Sequence, residues 1–261
     1  PSPVVLTELG SDGVSVVQSR DGNIRILDVP TELTAIVRST PEALLASRVV
    51  VGEGKTEVGL VRAHDKKWAS AHRNESLAQR GVAIVEGGGT EAARRALQLA
   101  QLGVGVLLLA DSDQPLDPDK ETLEAAGVAV ITWDDEVCTE RRVFRDLTWA
   151  GVEAAFEFVA SDDDRAPDAV VDAILGSAEG VEAMKRIGLV RTDCGNTLGT
   201  LLTAGCNEAE VREAFASAAI SRKWFKRVDT GQALGEILVS DDLSGVSTSD
   251  AMAKVELFAH G

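Results

Sequence analysis

Between residues 47 and 133 the chain repeats one pattern, a short, continuous and mainly apolar run followed by a longer segment with apolar residues at helical spacing. The runs are Arg48–Gly52, Gly81–Glu86, Gly103–Ala110 and Gly127–Trp133. A strand apolar on every residue has both faces buried, which points to a parallel sheet covered by helices on its two sides. The intervening segments, Thr56–Ala71, Thr90–Leu102 and Asp117–Ala126, are predicted helices, with Thr90 as an N-cap and Gly103 as the stop after Leu102. Repeated β-α-β units restrict the fold to α/β, a mostly parallel sheet with right-handed crossovers and flanking helices.

The flanks differ from this centre. In residues 3–28, Val4–Leu6, Val14–Val17 and Ile24–Leu27 are separated by Ser11-Asp12-Gly13 and Asp21-Gly22-Asn23, which predicts a small β-meander. From Glu140 to about Ile220 apolar residues recur at helical spacing, with breaks at Ser161–Asp164, Gly176 and Gly195-Asn196. Asn207 with Glu210 forms a capping-box pattern that opens a helix running through Ala219. This span is predicted to be a helical domain attached to, or inserted beside, the sheet. The expected organisation is thus a β-rich lead-in over 1–46, a core over 47–139, a helical domain over 140–220, and a segment over 221–261 that returns to the core.

Two of the apolar runs end in acid. Val49-Val50-Val51-Gly52 leads into Glu53-Gly54-Lys55-Thr56-Glu57, and Val106–Ala110 leads into Asp111-Ser112-Asp113. Ligands bind parallel sheets at the C-terminal ends of the strands, so Glu53 and Asp111 are expected at the functional edge. Glu57 stands one helical turn further on. Each motif alone also describes a solvated strand end or a helix-start acid. Together, on strands of one sheet, they form a set of oxygen ligands of the kind Mg²⁺ or Mn²⁺ takes. Two such ions roughly 4 Å apart activate a water and stabilise the leaving oxygen of a phosphoryl displacement.

The net charge of −16 opposes nucleic-acid binding as a bulk property. Cations are clustered, however: Ile220–Arg227 holds four of them with Trp224 and Phe225, and Arg141, Arg142 and Arg145 make a second group. Either group can contact phosphates or simply form a solvated basic face. The three cysteines show no CxxC pair or disulfide framework, which suits a reducing, cytoplasmic setting. They do not combine with the three histidines at zinc-ligand spacing. No stretch reaches the roughly 20 apolar residues of a membrane span, and there is no signal-peptide pattern. The chain starts without Met, as a fragment or a processed protein would.

Other motifs fail. Gly54-Lys55-Thr56 imitates the end of a phosphate-binding P-loop, but position 49 is Val where that loop needs Gly. Glu86–Thr90 reads as a tight turn rather than an anion site. The Asp-x-Asp pair also occurs in haloacid-dehalogenase phosphatases, but there it follows the first strand of the domain, and here two core strands precede it. His64 and His72 are expected on the surface of a helix, and no Ser-His-Asp set is apparent. The absence of Tyr removes one covalent nucleophile.

Strand-Gly-Glu-Gly-x-Thr-Glu followed by strand-Asp-Ser-Asp resembles the Toprim domain of topoisomerases, primases and certain nucleases. Val51-Gly52-Glu53-Gly54-Lys55-Thr56-Glu57 is most similar to the OLD (overcoming lysogenization defect) nucleases of the second class. The resemblance implies a Toprim core over 47–139 and a metal-dependent DNA nuclease using two Mg²⁺ or Mn²⁺ ions. It implies Glu53, Glu57, Asp111 and Asp113 as metal ligands and catalytic residues, with Glu140 as a further ligand and Asp134 and Glu136 in reserve. Trp224-Phe225-Lys226 resembles the family's late catalytic-lysine motif, and Lys223 stands close enough to be an alternative. Ser2–Leu6 resembles the run just after the switch histidine of that family's ATPase domain. The implied partners are therefore DNA, an N-terminal ATPase domain, a second copy of the chain and a helicase. Without Tyr, covalent strand passage by this chain is out. A non-catalytic Toprim-like module binding nucleotide or nucleic acid is the alternative reading, and a nucleotide phosphotransferase is a third.

Overall fold

The computed structural model describes residues 4–10, 13–20, 23–29, 33, 40–162, 166–241 and 246–260. Strands β1 (Val4–Gly10), β2 (Gly13–Arg20) and β3 (Asn23–Val29) pair antiparallel in that order, the expected meander. Ser2, Pro3, the turn residues 11–12 and 21–22, and Asp163 and Asp164 at the anticipated helix break lie outside the described residues.

The second sheet comprises β4 (Arg48–Gly52), β5 (Val82–Glu86), β6 (Gly105–Ala110) and β7 (Val128–Thr132), in the order β5-β4-β6-β7. Every pairing in it is parallel. Helix α1 (Lys55–Ala71) links β4 to β5, α2 (Ala92–Gln101) links β5 to β6, and α3 (Lys120–Ala125) precedes β7. Thr90 is not the N-cap of α2. It lies in a 3-10 turn, Gly89–Glu91, and the glycines before it redirect the chain instead.

Alternation along the strands explains the layering, because successive side chains point to opposite faces. Val49, Val51, Val106 and Leu108 pack with Ala96, Leu99 and Leu123 on one side. Val50, Leu107, Leu109 and Ile131 pack with Val61 and Trp68 of α1 on the other. Both faces are dry, so every strand residue can be apolar. Since β4 has β5 on one side and β6 on the other, the crossover direction reverses beside β4. That leaves a crevice at the C-terminal strand ends, where such sheets bind ligands.

The helices after the sheet are α4 (Thr139–Asp146), α5 (Trp149–Ser161), α6 (Pro167–Leu175), α7 (Ala178–Ile187), α8 (Leu198–Thr203) and α9 (Glu208–Arg222). Asn207 and Glu210 make the capping box, with Glu210 N–H donating to Asn207 Oδ1 at 3.0 Å, and α9 runs three residues past Ala219. A second core forms around Phe144, Phe215 and Phe225. Helices α10 (Val228–Ser240) and α11 (Ser247–His260) then return to the sheet: Leu234 of α10 shares a core with Leu60 of α1, and Met252 and Val255 of α11 pack with Val50 and Leu107.

Candidate metal and phosphate site

Glu53 follows β4 directly and Asp111 follows β6, so adjacent parallel strands deliver both acids to one edge. The Glu53 N–H donates to Leu109 O at 2.8 Å, and the Asp111 N–H donates to Glu53 Oε2 at 2.9 Å. Backbone pairing thus extends one residue past the sheet and fixes the two carboxylates relative to each other. The turn after β5 braces the same edge: Gly87 N–H donates to Gly52 O and Gly89 N–H to Glu53 O, at 2.7 and 2.8 Å. Gly88 has φ +82°, a conformation that suits glycine. This is the tight turn expected from the sequence.

Glu57 lies in the first turn of α1 and is 1% exposed. Its Oε2 accepts the Gly54 N–H at 2.7 Å, capping the helix start, whereas its buried Oε1 has no hydrogen-bond partner. Glu140, in the first turn of α4, is also 1% exposed. Its Oε1 accepts from Thr56 Oγ1 at 3.0 Å and from Lys226 Nζ at 2.8 Å, and its Oε2 likewise has no partner. A buried acceptor left unpaired is costly, and ionised acceptors more so. Two such oxygens in one acidic cluster are donors of the kind a divalent cation takes, although among the described residues no three of these carboxylates bring an oxygen each within 4.8 Å of one another, so shared ligation requires side chains to shift.

Asp111 is oriented by Thr139, whose N–H and Oγ–H both donate to Asp111 Oδ1 at 2.7 Å. The Thr139 hydroxyl in turn accepts from Trp133 Nε1 at 2.7 Å. Between the two aspartates, Ser112 is tied to Val137 by its N–H and by its hydroxyl. Burial, reinforced by the charge of Glu57, pushes the Asp111 carboxyl up to about 7. Burial raises Glu57 and Glu53 in the same direction, with Glu140 charge adding to the first and Asp111 charge to the second. Lys226 is raised although burial opposes it, because Glu140, Glu57 and Asp111 hold its proton.

The acids open onto a cleft of about 570 Å³ lined by Glu53, Glu57, Asp111, Lys55, Lys223 and Lys226. Glu86 and Gly89 line it as well. Asp113 is exposed, close enough for its charge to raise Glu53. Glu140 lies beneath the cleft, joined to it through Lys226. Asp134 and Glu136 are not brought in. Asp134 is exposed and accepts from Ser247 Oγ at 3.0 Å, while Glu136 is exposed on a left-handed backbone and joins none of the hydrogen bonds around the cluster.

Two expectations from the sequence, the Arg141–Arg145 basic group and the surface histidines, are corrected, and the aromatic residues of the late basic run prove to be core residues. Trp224 and Phe225 are buried in the helical core, so they offer no face to a nucleobase. Arg141, Arg142 and Arg145 do not form a free basic patch: Arg141 pairs with Glu179 and Glu213, Arg142 with Asp135 and Asp146, and Arg145 with Glu213. His64 is buried rather than on the surface, with Nδ1 bonded to Leu60 O at 2.9 Å, and His72 is half-buried. Sequence reasoning also passed over Thr139, Thr56 and Glu86. Glu86 ends an apolar strand, the same signal that marked Glu53 and Asp111. Thr139 stands just before Glu140 at a helix start, where a hydroxyl is common, so its aim at Asp111 had no separate sequence signal.

Residues 44–113 match the family model described as "Overcoming lysogenization defect protein-like, TOPRIM domain". The match contains Glu53, Glu57, Asp111 and Asp113 and stops short of Glu140 and Lys226. Among solved structures, the C-terminal region of the Xanthomonas campestris pv. campestris OLD protein is 18% identical, with 80% of this chain and 98% of that chain covered and a TM-score of 0.33. The C-terminal region of the Burkholderia pseudomallei OLD protein is 18% identical, with 79% and 98% covered and a TM-score of 0.31. TM-scores this low carry no weight for fold or function. No curated protein matches the chain.

Proposed function

With an OLD-like TOPRIM domain over residues 44–113, we propose that this chain is a divalent-metal-dependent nuclease that cleaves DNA phosphodiesters. The observation that carries the reading is the buried acid cluster, in which Glu57 and Glu140 each keep one carboxylate oxygen unpartnered beside Asp111 and a single paired lysine. Glu53, Glu57, Asp111 and Asp113 would hold two Mg²⁺ or Mn²⁺ ions, with Glu140 completing the set and Glu86 at the cleft wall. Ions bound there supply Lewis-acid chemistry to the scissile phosphate and its attacking water.

The chain's own groups do the rest. Thr139 and Glu53 lock the Asp111 carboxylate and backbone, so the ligand edge is set before substrate arrives. Glu140, itself bonded to Thr56, holds the Lys226 ammonium at 2.8 Å, and the lysine side chain is still 37% exposed. Its ammonium donates to a phosphate oxygen as negative charge builds there. Lys223, which caps α9 with φ +58° and lines the same cleft, attracts the flanking phosphate. The nuclease belongs in this reading to a longer ATPase-nuclease that dimerises and works beside a helicase.

Purified chain incubated with supercoiled plasmid and Mg²⁺ or Mn²⁺ is expected to give nicked and linear DNA, abolished by EDTA and by Glu57→Gln. Nucleotide phosphate release without DNA cleavage would replace the nuclease by a phosphotransferase. Metal-independent DNA binding with no product would replace it by a binding module.

A further inference from the structure

Away from the cleft, the C-terminal end of α1 meets the last turn of α11. His72 caps α1, and Glu256 and His260 lie one helical turn apart on α11, on one face. The imidazoles of His72 and His260 stack with centroids 3.9 Å apart and planes within 8°. Glu256 Oε1 approaches His72 Nδ1 at 3.7 Å. One ligand atom from each of these three residues lies within 4.8 Å of the others, the only such group of His, Cys, Asp or Glu among the described residues.

Their hydrogen bonding leaves lone pairs available. His72 Nδ1 lies 2.9 Å from Trp68 O, a bond that requires the proton on Nδ1 and leaves Nε2 as a lone pair. An imidazole N–H given to a backbone carbonyl is the usual support behind a metal-binding histidine. Both ring nitrogens of His260 are buried and have no hydrogen-bond partner. Burial, and then the nearby His72 and Arg80, lower the pKa of His260. A ring with two unpartnered nitrogens against a second imidazole and a carboxylate lacks a partner.

We propose that His72, Glu256 and His260 form a second metal site, selective for a zinc-class late transition ion rather than Mg²⁺. Two imidazoles and one carboxylate suit Zn²⁺, whereas Mg²⁺ prefers oxygen donors. The stacked rings hold their lone pairs side by side, so binding rotates at least one imidazole about its terminal torsion, which is soft. The ion staples α11 to α1. That fixes the helix whose Met252, Val255 and Ala259 cover the sheet beneath Val50 and Leu107, and whose Ala259 carbonyl accepts from Arg48 at the start of β4. The site is structural and independent of the acid cluster.

Zn²⁺ binding to the purified chain, measured by chelator competition with Mg²⁺ saturating, tests this. One equivalent is expected, weakened at least roughly tenfold by His72→Gln or His260→Gln and unaffected by Asp111→Asn. The melting temperature should rise with Zn²⁺ in the wild type and not in the histidine variants. Co²⁺ should give visible absorption bands that those variants lose. Should His72→Gln not fold, Glu256→Gln and His260→Gln in the last helical turn carry the same comparison. Equal Zn²⁺ affinity in wild type and histidine variants, or loss of binding only with Asp111→Asn, would overturn the proposal.

Discussion

In the proposed nuclease, Lys226 is the residue on which the chemistry would turn most directly. Its ammonium is held at 2.8 Å from Glu140, on a carboxylate that is otherwise sealed from solvent. Lys226→Ala removes a transition-state donor and leaves the Glu140 charge uncompensated, so kcat for plasmid nicking should fall about 10²–10³-fold. Lys223→Ala should act mainly through KM, because that side chain lines the cleft without an ion pair among the described residues. Steady-state kinetics of the two variants separates the roles. Asp111 provides a test without substrate. With the folded-state pKa near 7, above the ordinary 3.8, its favourable contribution is full below about pH 4 and disappears as pH rises through 7. Metal-free protein should therefore melt at a lower temperature at pH 8 than at pH 5. Asp111→Asn should flatten that slope, since its amide oxygen can still accept the two Thr139 bonds. A slope unchanged by the substitution would contradict the assignment of Asp111 as the strained acid.

At the level of elements, the site depends on how closely α10 approaches α1. A methyl group on Gly59 would collide with the backbone of Gly231 and Gln232, and one on Gly235 would come within 2.6 Å of Ala63 Cβ. This glycine seam sets α10 against α1 and so fixes Lys226, two residues before α10, over Thr56 and Glu57. Ala is the better helix former by about 1 kcal/mol, yet Gly59→Ala should cost roughly 2–3 kcal/mol, because the clash is with backbone that cannot rotate away. Thermal melting gives the cost, and a fall in nicking activity larger than the folded fraction explains would show that Lys226 has moved. The parallel strands were legible in the sequence because continuous apolar runs need two dry faces, and the Arg48–Gly52 boundaries coincide with the observed strand. The seam was not legible. Gly59, Gly231 and Gly235 look like ordinary breaks in helical pattern until two helices are seen to share them. The Thr90 cap failed for a related reason: Gly88 and Gly89 turn the chain ahead of it, and the helix starts later.

The molecule as a whole is strongly acidic, and among the described residues many of its cations are committed to ion pairs. Arg141 and Arg145 share Glu213, and the aromatic residues of the late basic run are core residues. In the proposed nuclease, DNA would meet a cleft in which Glu53, Glu57, Glu86 and Asp111 face three lysines, and divalent ions there would add positive charge. Fluorescence anisotropy with labelled duplex should show weak binding in EDTA and at least tenfold tighter binding, by a rough estimate from phosphate neutralisation, in Ca²⁺ without cleavage. The shared edge of Glu53 and Asp111 was legible because each directly follows an apolar run, with Glu57 one helical turn and Asp113 two residues further on. Glu140 and Lys226 came from resemblance alone, since their approach depends on helices distant in sequence.

A crystal of this chain soaked in Mn²⁺ and measured at the manganese absorption edge would show whether these carboxylates hold metal. Anomalous peaks are expected among Glu53, Glu57, Asp111 and Asp113, with Glu140 behind them and Lys226 facing the ions across the cleft. The absence of any peak at these carboxylates under conditions that support DNA cleavage would contradict the account.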